Sequence, residues 1–177
     1  RADFYVEAKT PDELVTAVQI AIKHDIPYFI LGTGCNVLMA DTGFSGLVIR
    51  NLATNIAFLL DHSQAIVDSG VQLPRLVLEA ASHDLGGIEF LYTIPGTIGG
   101  AIYGNAGAHG RAIGDIVKSI TLYFPHPADK KPKIQNVPPA WMEYAYRNSK
   151  LKRMGRKSRK FLPIILTATL QLRASKK

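Results

Sequence analysis

"IPGTIGGAIYGNAGAHG", residues 94–110, sets the reading of the whole chain, because it holds six of the fifteen glycines of a 177-residue protein. The glycines fall on neither a helical nor a strand period, and apolar residues are scattered among them. Each glycine inside regular structure costs roughly 0.5–1 kcal/mol relative to alanine. So dense a set implies unusual backbone dihedrals or the close approach of another group to bare backbone. A second glycine-bearing loop, Gly32-Thr33-Gly34-Cys35-Asn36, directly follows the apolar run Tyr28-Phe29-Ile30-Leu31. Backbone N–H groups in such a turn form an anion-binding concavity, and glycine lets a phosphate come near. The spacing is not the dinucleotide fingerprint of a doubly wound fold, which needs a third glycine opening a helix and an acid about 20 residues on. Taken alone, the first loop reads as a tight turn and the second as a packed crossover between lobes. Two such loops, each behind an apolar run, point to a phosphate-bearing ligand.

Upstream of both loops, Thr10-Pro11-Asp12-Glu13 reads as a capping box with proline at the first helical position. Leu14, Val18, Ala21 and Ile22 recur at helical spacing, which predicts an amphipathic helix over 11–25. Tyr28–Leu31, Leu47–Ile49 and Ala65–Val67 read as short strands, the last ending at Ser69-Gly70. A second helix is predicted over 73–85, with Leu73, Leu76, Val77, Ala80 and Ala81 on one face and an Arg75–Glu79 pair supporting it. Residues 116–124 and 162–172 read as long strands. The proline-rich stretch 125–139 between them reads as a loop. A β-α-β opening followed by further strands and a second helix predicts a mixed α+β fold in two lobes, 1–54 and 55–177.

At 47% hydrophobic and 20% charged, the chain has the composition of a globular protein able to bury a core. No apolar run approaches the roughly 18–20 residues that span a bilayer. A single cysteine, Cys35, leaves no internal disulfide, so a cytoplasmic location is expected. The net charge of +7 equals the Lys and Arg count of residues 150–160, KLKRMGRKSRK, so the remainder is balanced. That run reads either as a phosphate-gripping loop or as a solvated one. No aromatic stacking platform accompanies it, and no nucleic-acid or membrane partner is expected.

The strings "LGTGCNVL" (31–38), "DTGFSGLVI" (41–49), "GIEFLYTIPGTIGGAIYGNAGAHG" (87–110) and "YAYRNS" (144–149) resemble those of the UDP-N-acetylenolpyruvoylglucosamine reductases. These are flavoproteins with the vanillyl-alcohol-oxidase (PCMH) type of FAD-binding domain, and the resemblance runs from about Ala2 to Leu172. It implies FAD as cofactor, held through Gly32, Thr33, Gly34, Cys35 and Asn36 in the first loop. It also implies Gly70, and Pro95, Gly96, Thr97, Gly99, Gly100, Asn105, Ala106 and Gly107 around the second. It implies that Tyr146 and Arg147 bind substrate, with Arg147 polarising an enolpyruvyl carboxylate beside the flavin. The family reaction runs from NADPH to FAD and then, by hydride transfer, to the enolpyruvyl group of a UDP-sugar in peptidoglycan precursor synthesis. No metal is implied.

Three departures from the family pattern stand out. Cys35 replaces a usual serine, and a thiol is the poorer hydrogen-bond partner. His109 replaces a tyrosine, and Gly104 stands where glutamine is common. The family's proton-donating serine belongs to a C-terminal substrate domain that is not recognisable here. The expectation is a FAD-binding domain, incomplete for full turnover and able to self-associate through the face such a domain would cover. The alternatives are a stand-alone electron-transfer flavoprotein and a flavin-free remnant of the scaffold.

Overall fold

Two sheets, one from each end of the chain, carry the architecture; the computed structural model describes residues 1–126, 133–157 and 161–175. In the first sheet, β1 (Ala2–Ala8), β2 (Tyr28–Leu31) and β3 (Phe44–Asn51) run parallel in the order β1-β3-β2. α1 (Pro11–Lys23) makes the crossover from β1 to β2. Its start follows the sequence signals: Thr10 Oγ1 accepts the Glu13 N–H at 3.1 Å, Pro11 opens the helix, and Glu13 Oε2 reaches back to the Lys9 N–H. The helix stops two residues earlier than expected because Asp25 takes a left-handed φ of 52°. β1, the strand that a β-α-β opening requires before α1, had no bounds legible in the sequence. Its residues are exposed along most of the strand, so no apolar period marks it.

The second sheet is antiparallel, in the order β10-β9-β11-β5-β4. Its strands are β4 (Ile56–Leu59), β5 (Gln64–Asp68), β9 (Val117–Phe124), β10 (Lys133–Val137) and β11 (Ile164–Gln171). Two-residue strands complete the set: β6 (Leu85–Gly86) pairs with β12 (Arg173–Ala174), and β7 (Gly107–Ala108) with β8 (Arg111–Ala112). β10 corrects the loop expected over 125–139. A strand of only one buried residue, lying at the sheet edge, offers little apolar signal. Residues 127–132 of that stretch lie outside the described residues.

α2 (Leu73–Ser82) buries Leu73, Leu76, Val77 and Ala80, whereas Ala81 faces solvent; His83 and Asp84 end it. α3 (Ile98–Gly104) lies inside the glycine-rich stretch, where no helix was expected. α4 (Lys150–Lys157) forms from most of the basic run, whose residues 158–160 lie outside the described residues. The main core fills the space between the second sheet, α2 and α3. A smaller core packs Leu14, Val15 and Val18 of α1 with Ile49 against Tyr123, Ile164 and Leu166 of the second sheet.

Candidate functional site

Parallel strands deliver their carboxyl ends to one edge, and in open α/β sheets that edge is where ligands bind. β2 ends at Leu31 and runs straight into Gly32–Asn36. Gly34 there has φ +80°, and Thr33 Oγ1 accepts the Cys35 Sγ–H at 3.2 Å. Cys35 is an exposed free thiol. Among the described residues, the N–H groups of Thr33, Gly34, Cys35 and Asn36 donate to no protein acceptor. Backbone donors left in this way are satisfied by solvent or by a ligand.

The second loop is tied to the end of β5. Leu73 N–H donates to Gly96 O at 3.1 Å, Ile98 N–H to Val71 O at 2.8 Å and Gly99 N–H to Ser69 O at 2.8 Å. This pairing spends the Ile98 and Gly99 donors but leaves the N–H groups of Gly96 and Thr97 without a protein acceptor among the described residues. Thr97 caps α3 through Oγ1. The two loops meet directly: a Cβ on Gly32 would sit 2.8 Å from Thr97 Oγ1. Residues 37–95 therefore separate two sets of unclaimed N–H donors that the fold places side by side.

The expected glycines divide into two groups. A Cβ on Gly70 would meet Ala53 O at 2.5 Å, one on Gly99 would meet Ser69 Cβ at 3.0 Å, and one on Gly107 would meet Arg111 O at 2.3 Å. Those three are glycine because neighbouring chain lies against them. Gly100 and Gly104, one helical turn apart on α3, behave differently: the first is exposed, and a Cβ on the second would meet nothing within 4 Å beyond its own helix among the described residues. The opposite side of α3 buries Ile98, Ala101 and Ile102. The helix thus turns a wall of bare backbone outward, beside the unclaimed donors. This combination fits a diphosphate-bearing ligand with a flat apolar group.

At the far end of α3, about 10 Å of helical rise from Thr97, stands the expected arginine. Tyr146 and Arg147 form the tip of a tight turn closed by Ala145 and Asn148, which exchange N–H···O bonds of 3.1 and 3.0 Å. Tyr146 is 90% exposed, and the Arg147 guanidinium lies 5.8 Å from its ring centroid. Asn105, read as a cofactor contact, spends both ends of its side chain inside the protein. Oδ1 accepts the Gly114 N–H at 3.2 Å, and Nδ2 donates to Ala145 O at 2.9 Å. Ser149 is fully buried; its hydroxyl donates to Tyr103 O at 2.6 Å and accepts the Lys152 N–H, so the same residue caps α4 and fastens it to α3. Ala106 is held by N–H donation to Ala101 O, and Pro95 is exposed just before the loop. His109 shares the tip of the β7–β8 hairpin with Gly110, both at positive φ, which is the two-residue primed turn.

Electrostatics around the turn are set by one acid. Hydrogen bonds from Lys150 and then Arg153 hold the Glu143 carboxyl below its usual range. Tyr144 is the opposite case. Its Oη is buried with no hydrogen-bond partner among the described residues, and burial pushes its pKa up. Sequence reasoning missed Tyr144, the buried Asn51–Ser69 pair that braces the loop edge at 2.8 Å, and Lys152. The one trace of Asn51 in the sequence is a polar residue closing an apolar strand. Among the described residues no group of three His, Cys, Asp or Glu side chains is placed to hold a metal, and no helix is long and apolar enough to cross a membrane.

Comparison with known proteins agrees with this geometry. Residues 2–126 match the family model described as "FAD binding domain". A UDP-N-acetylenolpyruvoylglucosamine reductase of Anoxybacillus flavithermus is 36% identical over 97% of this chain and 53% of its own length. The corresponding reductase 2 of Symbiobacterium thermophilum is 33% identical over 85% of this chain and 47% of its own. The crystal structure of that reductase from Thermus caldophilus superposes with a TM-score of 0.73, at 28% identity, over 97% of this chain and 56% of the other. Cholesterol oxidase of Brevibacterium sterolicum, at 16% identity and a TM-score of 0.64, shares the fold alone. The chain spans about half the length of the curated relatives it matches. With the family model covering well over half of the residues, the chain belongs to the FAD-binding-domain family and carries its mixed α+β, PCMH-type fold.

Proposed function

We propose that the chain is the FAD-binding portion of a UDP-N-acetylenolpyruvoylglucosamine reductase, serving peptidoglycan precursor synthesis in the cytoplasm. The carrying observation is the meeting of two loops with unclaimed N–H donors at one end of a bare-faced helix. In this reading the N–H groups of Thr33, Gly34, Cys35, Asn36, Gly96 and Thr97 hold the FAD diphosphate, since oriented amides stabilise an anion without bulky side chains. Gly100 and Gly104 give the flat ring system a close approach to α3. Gly32, Gly70, Gly99 and Gly107 act one step back, by letting the loops pack. FAD, when bound, supplies the redox centre. Arg147 pairs with the carboxylate of an enolpyruvyl nucleotide sugar, with Tyr146 beside it, and NADPH is the reductant. The half of the relatives that this chain does not match would complete substrate binding and protonation, so turnover by this chain alone falls well below that of a complete reductase. Exposed Phe4, Tyr5 and Leu38, the last 99% exposed, support self-association of the isolated chain.

The test is to soak the purified protein in FAD, desalt it and record the visible spectrum, with Cys35 as an internal reporter. A retained flavin spectrum near one equivalent is expected, together with labelling of the Cys35 thiol by a disulfide reagent slowed about tenfold or more, as access to a thiol governs its reactivity. A colourless protein with unchanged Cys35 labelling would overturn the reading.

A further inference from the structure

Arg147 is not a glycine, yet its φ is +52°. Non-glycine residues hold this left-handed conformation only where the surroundings over-determine it. Two side chains do so here, from opposite sides. Lys152 Nζ donates to Arg147 O at 2.9 Å from the first turn of α4. Asn105 Nδ2 donates to Ala145 O at 2.9 Å from the C-terminal end of α3. Asn105 is itself 8% exposed and left-handed at φ +48°, so its own geometry is fixed by the helix end it caps. Lys152 differs from the neighbouring cations: Lys150 and Arg153 pair with Glu143, whereas the Lys152 amine goes to a backbone carbonyl. The Lys152 bond is exposed and adds little to global stability. Its effect is local, on the direction in which the Arg147 side chain leaves the backbone.

We propose that Lys152 and Asn105 are positioning residues that clamp the Tyr146-Arg147 turn between α3 and α4 and so set the guanidinium for a carboxylate ligand. This rests on the reading of Arg147 given above. A bidentate guanidinium–carboxylate pair depends on direction as well as distance, so loosening the turn lowers affinity for a carboxylate while sparing the rest of the ligand.

The experiment uses the FAD-loaded chain and two probes, UDP-N-acetylglucosamine with and without the enolpyruvyl group, each titrated by flavin difference spectrum. Working at about 0.5 M salt shortens the screening length to a few ångströms and suppresses the mere loss of a charge. In Lys152→Met the preference for the carboxylate-bearing probe is expected to fall about tenfold, the scale of one charge-assisted hydrogen bond. FAD affinity and thermal midpoint stay unchanged, and Lys152→Arg restores the preference. Asn105→Asp, which keeps the bond to Gly114 N–H but removes the donor to Ala145 O, shows the same loss. A general weakening of the fold would lower both affinities together, so the ratio isolates the clamp. An unchanged ratio in Lys152→Met overturns the proposal.

A second readout separates this failure from failure of the Arg147 reading. If the parent protein shows no preference between the probes, the carboxylate role of Arg147 falls. The clamp is then judged by tryptic cleavage after Arg147, followed by mass, which tracks opening of the turn. Cleavage several-fold faster in Lys152→Met supports the clamp, and an equal rate overturns it.

Discussion

Among the described residues, a Cβ built on Gly104 would meet nothing within 4 Å beyond its own helix, and the residue closes an ordinary helix with no positive φ, so neither packing nor backbone geometry asks for glycine there. Alanine is favoured over glycine in a helix by up to about 1 kcal/mol. Gly104→Ala is therefore expected to raise the thermal midpoint of the flavin-free protein slightly. If α3 lies against the flavin, the same methyl intrudes on a filled contact at a cost of about 1–3 kcal/mol, which lowers FAD affinity about tenfold. Opposite signs in a melting curve and a flavin titration identify the face; an unchanged affinity removes Gly104 from the site. At this scale the glycine-rich stretch was legible from its density alone. The division of labour inside it was not, because Gly70 and Gly107 are explained by carbonyls of Ala53 and Arg111, and nothing local in the sequence says which backbone will lie opposite. The side-chain partners of Asn105, Gly114 and Ala145, were not legible for the same reason: they are a fold-level fact.

Elements with an apolar period and a capping signal, such as α1, were legible almost to the residue, whereas α3, α4, β1 and β10 were not. Five of the eight residues of α4 are Lys or Arg, which are good helix formers. Its pattern was hidden by charge, and its cap, Ser149, is recognisable only once Tyr103 O is seen to accept from it. The junction where β5 ends offers a pH test. Asp68 is buried at the foot of the second loop, and Oδ2 accepts the Asn55 N–H at 2.9 Å. Burial raises its carboxyl pKa above the ordinary value, against the lowering effect of that bond. A folded pKa above the unfolded one means that the folded state holds the proton more tightly. The contribution of this group is thus complete below the unfolded value of about 3.9 and declines as pH rises through the folded value. Asp68→Asn keeps an oxygen for Asn55 and removes the ionisation. The variant is expected to be more stable than the parent at pH 7, with the difference shrinking toward pH 4. Denaturation midpoints at both values check this, and equal midpoints at pH 7 would refute it.

For the whole molecule, the switch from a parallel to an antiparallel sheet between Asn51 and Ile56 suggests two separable lobes, but the smaller core contradicts independence. Leu14, Val18 and Ile49 come from the first sheet and its helix; Tyr123, Ile164 and Leu166 come from the second. The expected division into lobes 1–54 and 55–177 rests on the order of strands and helices, and that order says nothing of the shared core. Alternation along β11 shows that one face is apolar and leaves open whose side chains cover it. The consequence concerns cooperativity. Leu14 is fully buried, and truncating such a leucine costs about 2–5 kcal/mol. Trp141, the sole tryptophan, packs against the main core rather than the smaller one that holds Leu14, edge-on to Phe124 at 6.0 Å. If α1 and both sheets unfold as one unit, Leu14→Ala lowers the denaturation midpoint read by Trp141 fluorescence as much as that read by circular dichroism. If the lobes unfold separately, the Trp141 midpoint stays in place while circular dichroism splits into two transitions. Because the loop Gly32–Asn36 leaves the end of β2 in the first sheet and Thr97 caps α3, which packs on the second, the same shared core keeps the two donor sets in register. Leu14→Ala is accordingly expected to weaken FAD binding even though Leu14 belongs to α1 and to neither loop, and the flavin titration that tests Gly104 measures this as well.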